Sequence, residues 1–171
     1  KYTTKSQQVV QKAINIASTS GQTIVDTAHL LQAIYEEEPH VVSFIHQKLG
    51  VKDDHLTGAL KAIISNQPKS SGSDPSFSNK TVMALNKAQD YLKDFGDEYV
   101  AIEHILLGIL NGSDATANLL KDAGYKKKPL IEAIKELRNG DTVTDQNTDS
   151  NYRSLEKYSI NLNQKAKDGK I

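Results

Sequence analysis

The sequence predicts an all-α protein built from two similar helical units. Apolar residues recur at the three- and four-residue spacing of amphipathic helices along most of the chain, without a sustained alternation typical of strands. The pattern of apolar residues, glycines and a histidine then recurs in the second half of the chain. We therefore expect two tandem, pseudo-symmetric repeats packed together, each of four helices, or about eight helices in all.

An offset between the two halves defines the repeat. A shift of 75 residues places 6–35 on 81–110 without a gap, and it pairs His29 with His104. Beyond the second helix of each unit the shift becomes 74, which a loop shorter by one residue explains. The matches include core positions and helix ends, so they indicate a duplicated architecture rather than helical composition in general.

Polar stretches interrupt the helical pattern and predict the boundaries. The double-repeat domain is expected at 1–140. A stretch rich in Ser, Pro and Gly separates the two repeats and is typical of a flexible surface linker. The predicted segments are, in chain order, repeat 1 at about 4–65, a linker at 66–78, repeat 2 at about 79–139, a flexible linker at 141–151 and the start of another domain at 152–171.

Composition excludes several classes of partner. Lys plus Arg and Asp plus Glu both total 21, and no basic stripe stands out, which disfavours nucleic acid and anionic membrane surfaces as partners. The absence of cysteine excludes disulfides and thiolate chemistry and fits a reducing compartment. No apolar run is long enough to span a membrane, and the first residues do not resemble a secretory signal. We expect a soluble, cytoplasmic protein.

The known motifs of catalytic and cofactor sites are absent from the sequence. It contains no glycine-rich phosphate loop, no nucleophile elbow and no pair of histidines with metal-binding spacing. We therefore expect no catalytic residue, no metal ligand and no cofactor in this chain. An enzyme that uses Glu103 and His104 together is disfavoured, because adjacent helical residues point about 100° apart.

His104 and Glu103 receive different interpretations from the repeat. His29 occupies the position equivalent to His104 at the start of a helix, so we expect both histidines to have a packing or capping role. Glu103 corresponds to Ala28, so the fold does not require a carboxylate there. The carboxylate either complements the exposed amides of the first helical turn or is displayed for a partner.

Two matching stretches, Ala28–Ile34 and Glu103–Ile109, resemble the Clp N-terminal repeat domain of Hsp100 chaperones. The resemblance extends to about Gly140. Within that family, the opening Tyr2–Ser6 and above all the tail Ser154–Lys170 are similar to the ClpB-type disaggregases. In those proteins a similar tail leads into the first nucleotide-binding domain, which the resemblance implies for 152–171.

The resemblance implies a client-binding domain that is not itself an enzyme. Such a domain recruits unfolded or aggregated protein to a hexameric, ATP-driven machine, and the ATP with magnesium, the hexamer contacts and cooperation with Hsp70 would belong to other domains. The alternative is an adaptor- or degron-docking domain of a ClpC- or ClpA-type unfoldase that feeds a protease. A ClpC-type phosphoarginine receptor resembles this chain less, because Ala28 replaces the glutamate expected in the first repeat.

The resemblance also implies which residues bind clients. Thr3, Asp97 and Glu103 match the positions implicated in ClpB-type domains, and Tyr99 is a further candidate beside Asp97. From spacing alone, Thr3 is a capping hydroxyl and Asp97 a solvated turn residue. We expect the three to form a polar rim around a shallow apolar groove, with Glu103 exposed on the client-facing surface.

Overall fold

The computed structural model describes residues 1–149, and they form the all-α fold that the sequence predicts. Two strands of two residues each join the helices. In chain order the elements are α1 (Thr4–Thr19), β1 (Ile24–Val25), α2 (Thr27–Glu37), α3 (Pro39–Leu49), α4 (Asp53–Ser65), β2 (Ser76–Phe77), α5 (Asn79–Asp90), α6 (Leu92–Phe95), α7 (Ile102–Leu110), α8 (Ala115–Ala123) and α9 (Lys127–Arg138). Within residues 1–149 no helix is long and apolar enough to cross a membrane.

The helices follow the predicted two-fold repetition. Only Tyr91 separates α5 from α6, and together these two helices cover the positions that correspond to the long helix α1. After that, α2, α3 and α4 correspond in order to α7, α8 and α9. Repeat 1 therefore consists of one long helix and three shorter ones, and repeat 2 follows the same order with its first helix divided in two.

The two repeats are interlocked through short parallel pairings. In the described part of the chain, β2 pairs in parallel with β1, so that Phe77 lies beside Val25. Tyr2 forms an isolated parallel bridge with Val100. Because these two pairs are related by the 75-residue shift, the start of each repeat is hydrogen-bonded to the other repeat. The predicted linker 66–78 consequently ends in a strand that the sequence pattern did not predict, since two residues carry no periodicity.

Helices α5 and α7 approach each other closely at Gly108. A Cβ atom built at Gly108 would lie 2.2 Å from the carbonyl oxygen of Ala84, so only glycine fits this crossing. In repeat 1 the equivalent residues are Ala33 and Val9, both fully buried. Repeat 2 therefore has smaller side chains at this crossing, and Gly108 sets the position of α7 against α5.

The segment 141–149, here called the exit segment, packs against the start of the domain. Val143 is fully buried, and its carbonyl accepts a hydrogen bond from the Glu98 amide at 2.8 Å. The Thr4 amide donates to the Gln146 carbonyl at 2.9 Å. The boundary at residue 140 stays a prediction, although contacts of the domain continue past it. The prediction for 152–171 lies outside the described residues.

Candidate functional site

An uncharged groove opens to solvent between α1 and α5. Its volume is about 490 Å³, and Phe77 at its edge is 39% exposed although it is a large apolar residue. The lining contains apolar and amide side chains without a formal charge: Tyr2, Gln7, Val10, Gln11, Phe77 and Leu85. Exposed apolar surface bordered by polar groups is typical of a site that binds other apolar groups.

Thr3 lies at the start of α1 and caps it, as its spacing indicates. Its hydroxyl accepts a hydrogen bond from the Ser6 amide at 3.1 Å and donates one to the Ser6 hydroxyl at 3.1 Å. The Thr3 amide donates to the Val100 carbonyl at 3.0 Å. Thr3 is fully buried, so it is not part of an exposed rim.

Asp97 and Glu103 lie together in a buried ionic cluster with His104 and Arg138. The guanidinium of Arg138 forms an ion pair with Asp97, and its Nε donates to Glu103 Oε2 at 3.3 Å. His104 Nε2 lies 2.7 Å from Asp97 Oδ2. The other oxygen, Asp97 Oδ1, accepts a hydrogen bond from the Val143 amide at 2.8 Å, which ties the exit segment to the cluster.

The expectations that Glu103 is displayed on the surface and that Asp97 is a solvated turn residue are therefore wrong. Glu103 is 1% exposed and Asp97 8%, and the side-chain atoms of both are inaccessible to solvent. The cause is Arg138, whose guanidinium reaches both carboxylates and makes their burial tolerable. Both carboxylates are shielded from contact with another protein, and their link to client binding stays a prediction.

The two histidines have the capping role predicted from the repeat. The Ala101 amide donates to His104 Nδ1 at 2.8 Å, and the Asp26 amide donates to His29 Nδ1 at 2.9 Å. Since Asp97 occupies the other side of the His104 ring, both nitrogens of this imidazole are already engaged. This arrangement disfavours a Glu103–His104 catalytic pair, because a general base needs a free nitrogen within reach of its substrate.

Tyr99 is the one predicted site residue that is partly exposed, among the four named from the sequence. The ammonium of Lys1 lies 5.7 Å from the centre of its ring, which is within the range of a cation–π contact. Its amide lies 3.3 Å from the Val143 carbonyl. Tyr99 thus lies at the junction of the N-terminus and the exit segment and is absent from the groove lining.

Arg138 belongs to the ionic cluster, and the sequence analysis did not predict it. It lies eight residues after Leu130 and on the same buried face of α9 as Ile134. A charged residue at such a position, where the equivalent residue of repeat 1 is Ile64, indicates a buried partner of opposite charge. That signal was present in the repeat alignment.

The ionic cluster and the groove are connected through the backbone. Val100 lies between Asp97 and Glu103, and its amide donates to the Lys1 carbonyl at 2.8 Å while its carbonyl accepts from Thr3. These bonds hold Tyr2, which lines the groove, against the loop that the cluster fixes. Among residues 1–149, no three His, Cys, Asp or Glu side chains are arranged to hold a metal ion.

Comparison with protein families and curated relatives gives consistent matches. The model of the Clp repeat (R) N-terminal domain matches residues 1–123. The chaperone protein ClpB of Bacteroides thetaiotaomicron is 42% identical over 170 residues, and that of Porphyromonas gingivalis is 38% identical over 170 residues. Each alignment covers 99% of this chain and 20% of the relative, so the chain spans about a fifth of the length of these chaperones.

Solved structures share the fold. The Hsp104 N-terminal domain from Candida albicans superposes with a TM-score of 0.74 at 18% identity, covering 86% of this chain and 98% of that one. The N-terminal domain of the caseinolytic protease associated chaperone ClpD from Arabidopsis thaliana gives a TM-score of 0.59 at 24% identity, covering 80% and 96%. At these identities the likeness shows the double-repeat fold alone.

Proposed function

Because this chain belongs to the family of Clp repeat (R) N-terminal domains, we propose that it binds unfolded or aggregated protein clients through the groove between α1 and α5. The observation that carries the proposal is the uncharged lining beside the exposed Phe77 ring. Unfolded proteins expose apolar side chains that native proteins bury, and such side chains gain free energy on entering this surface. The wide opening suits weak, sequence-tolerant binding.

Thr3, Asp97 and Glu103 contribute to this function indirectly in our proposal. The cluster around Asp97 and Glu103 fixes the loop that contains Val100, and Thr3 and Tyr2 are hydrogen-bonded to that loop. Loss of one of these contacts would leave Tyr2 free to move out of the groove wall. Their role is therefore positioning, and it replaces the exposed rim expected from the sequence.

The whole protein, in this proposal, is an ATP-dependent disaggregase of the ClpB type. The domain would recruit clients to a cytoplasmic homohexamer whose other domains bind ATP and magnesium and cooperate with the Hsp70 system. Support comes from the similarity to chaperones named ClpB over 99% of this chain. The groove would present clients to the machine and release them readily, since its contacts are apolar and few.

Titration of the 171-residue chain with a fluorescently labelled, reduced and alkylated protein tests the groove. Leu85→Ala should weaken binding by about tenfold, because it removes about 1.5 kcal/mol or more of apolar contact. Leu119→Ala is the matched control, since Leu119 is a partly buried leucine of α8 outside the groove lining. Equal affinity of the wild type and Leu85→Ala would contradict the assignment of the groove.

A pull-down distinguishes the alternative function. Capture of one specific adaptor protein, together with no affinity for the alkylated unfolded protein, would favour an adaptor- or degron-docking domain of a protease-feeding unfoldase.

Thr3→Val tests the positioning role in the titration with the labelled unfolded protein. It should weaken client binding although the Thr3 side chain is buried and lies outside the groove lining.

A further inference from the structure

Four of the six residues that line the groove form two pairs related by the repeat, from which we infer that the groove binds an extended apolar segment in either chain direction. This inference rests on the client-binding function proposed above. Two pairs of lining residues occupy equivalent positions in the two repeats. Tyr2 corresponds to Phe77, and Val10 corresponds to Leu85. The lining thus maps largely onto itself under the operation that relates the repeats.

The operation is a two-fold rotation, as the reciprocal contacts between the repeats show. The Thr3 amide donates to the Val100 carbonyl at 3.0 Å, and the Ser78 amide donates to the Val25 carbonyl at 3.1 Å. Thr3 and Ser78 are equivalent, as are Val100 and Val25. Each repeat therefore makes to its partner the contact that it receives, which defines an isologous, two-fold arrangement. The axis passes through the groove, because equivalent residues line both of its sides.

A half-turn about an axis that crosses a groove reverses the direction of any extended segment lying across the axis. The segment then meets nearly the same side chains in both directions. Apolar contact has no directional preference, and the groove lining carries no charge that would distinguish one end of the segment from the other. A bound segment consequently loses little affinity when its direction is reversed.

The differences between equivalent residues determine how strongly the groove prefers one direction of the bound segment. Gln7 and Gln11 line the groove, whereas their equivalents Val82 and Asn86 do not, and Tyr2 carries a hydroxyl that Phe77 lacks. A difference of about one valine side chain corresponds to about tenfold in affinity. The two directions should therefore be populated within about a factor of ten of each other.

Paramagnetic broadening of amide resonances measures the two directions. Two synthetic peptides of the same uncharged, leucine- and valine-rich sequence carry a nitroxide on a single cysteine, at the N-terminus in one and at the C-terminus in the other. The chain has no cysteine, so the label is confined to the peptide. Each peptide should broaden resonances on both the Tyr2 side and the Phe77 side, in a ratio within about tenfold. Reduction of the nitroxide gives the reference spectrum.

A symmetrising variant sharpens the measurement. Gln7→Val introduces the residue of the equivalent position, and it should bring the broadening ratio closer to one. If the N-terminal label broadens only one side and the C-terminal label only the other, the groove binds in one direction, and this inference is overturned while client binding stands. If neither peptide binds saturably, the proposed function fails and the inference fails with it.

Discussion

The two repeats build the same helix start with different chemistry. In repeat 1 His29 Nε2 lies 2.6 Å from Gln22 Oε1, and the side-chain amide of Gln22 donates from Nε2 to the Ile64 carbonyl at 2.7 Å. In repeat 2 the equivalent contacts are those of His104 with Asp97 and of Asp97 with Arg138. Both repeats have the imidazole cap. The imidazole is held by a neutral side-chain amide in repeat 1 and by an ionic cluster in repeat 2.

This difference shows that the same helix start can be built without an ionic cluster. A glutamine, an alanine and a backbone carbonyl suffice in repeat 1, and burying charges there would incur a desolvation cost that a neutral network avoids. The cluster in repeat 2 has an additional task, because Asp97 also accepts the Val143 amide of the exit segment. Among the described residues, the ionic cluster therefore holds the exit segment against repeat 2.

Arg138→Met should cause the largest loss of stability, and it tests how far repeat 2 depends on its ionic cluster. It leaves Asp97 and Glu103 buried without the guanidinium between them, so we expect the free energy of unfolding to fall by about 3–5 kcal/mol. Urea denaturation at neutral pH measures the loss. Lys135→Met is the matched control on an exposed position of α9 and should change stability by less than about 0.5 kcal/mol. Equal losses for the two variants would show that the cluster contributes nothing.

The sequence predicted what depends on periodicity and on the repeat. The all-α fold, the correspondence of α2 with α7 and the capping role of His29 and His104 follow from patterns that recur along the chain. The burial of Glu103 was mispredicted, because it depends on Arg138, which is 35 residues away in the sequence, and on a side-chain pairing that no local pattern encodes. The groove was likewise unassigned, since β2 is too short to produce a periodic signal.

Gly108→Ala should have the second largest effect, and it tests the close approach of α5 and α7 in repeat 2. The new Cβ would meet the backbone of Ala84, which cannot move without displacing α5, so we expect a loss of about 1–3 kcal/mol. The reverse change in repeat 1, Ala33→Gly, removes a buried methyl group and should cost about 1 kcal/mol from helix propensity. Thermal unfolding of both variants measures the two losses of stability. A stabilised Gly108→Ala variant would contradict the close approach of α5 and α7.

Acid should weaken repeat 1 through His29, with a smaller effect. Burial lowers the pKa of His29 below its ordinary 6.5, and the nearby Asp26 carboxylate opposes this only in part. The neutral ring therefore contributes stability that is present above pH 6.5 and is lost as the pH falls through the folded-state pKa. Protonation also removes Nδ1 as the acceptor for the Asp26 amide. An NMR titration in which His29 titrates at or above 6.5 would contradict this prediction.

Replacing the whole cluster should have the smallest effect on stability. The triple variant Asp97→Gln, Glu103→Ala and Arg138→Met gives repeat 2 the residues of repeat 1 at its first two positions and an apolar side chain of similar length at the third. Buried ion pairs replaced together by neutral groups are often nearly neutral for stability, so the free energy of unfolding should stay within about 1 kcal/mol of the wild type. Urea denaturation alongside Arg138→Met alone measures the recovery.

The triple variant also separates stability from function. It should keep the fold, but it should hold the loop that contains Val100 less firmly. A glutamine at residue 97 still reaches towards the Val143 amide, but without the guanidinium its side chain is less firmly fixed. Client affinity should therefore fall even though stability is retained, since Tyr2 depends on the loop that contains Val100. Unchanged affinity in a variant of full stability would show that the groove needs no ionic support, and that Thr3 and the β-bridge alone hold its wall.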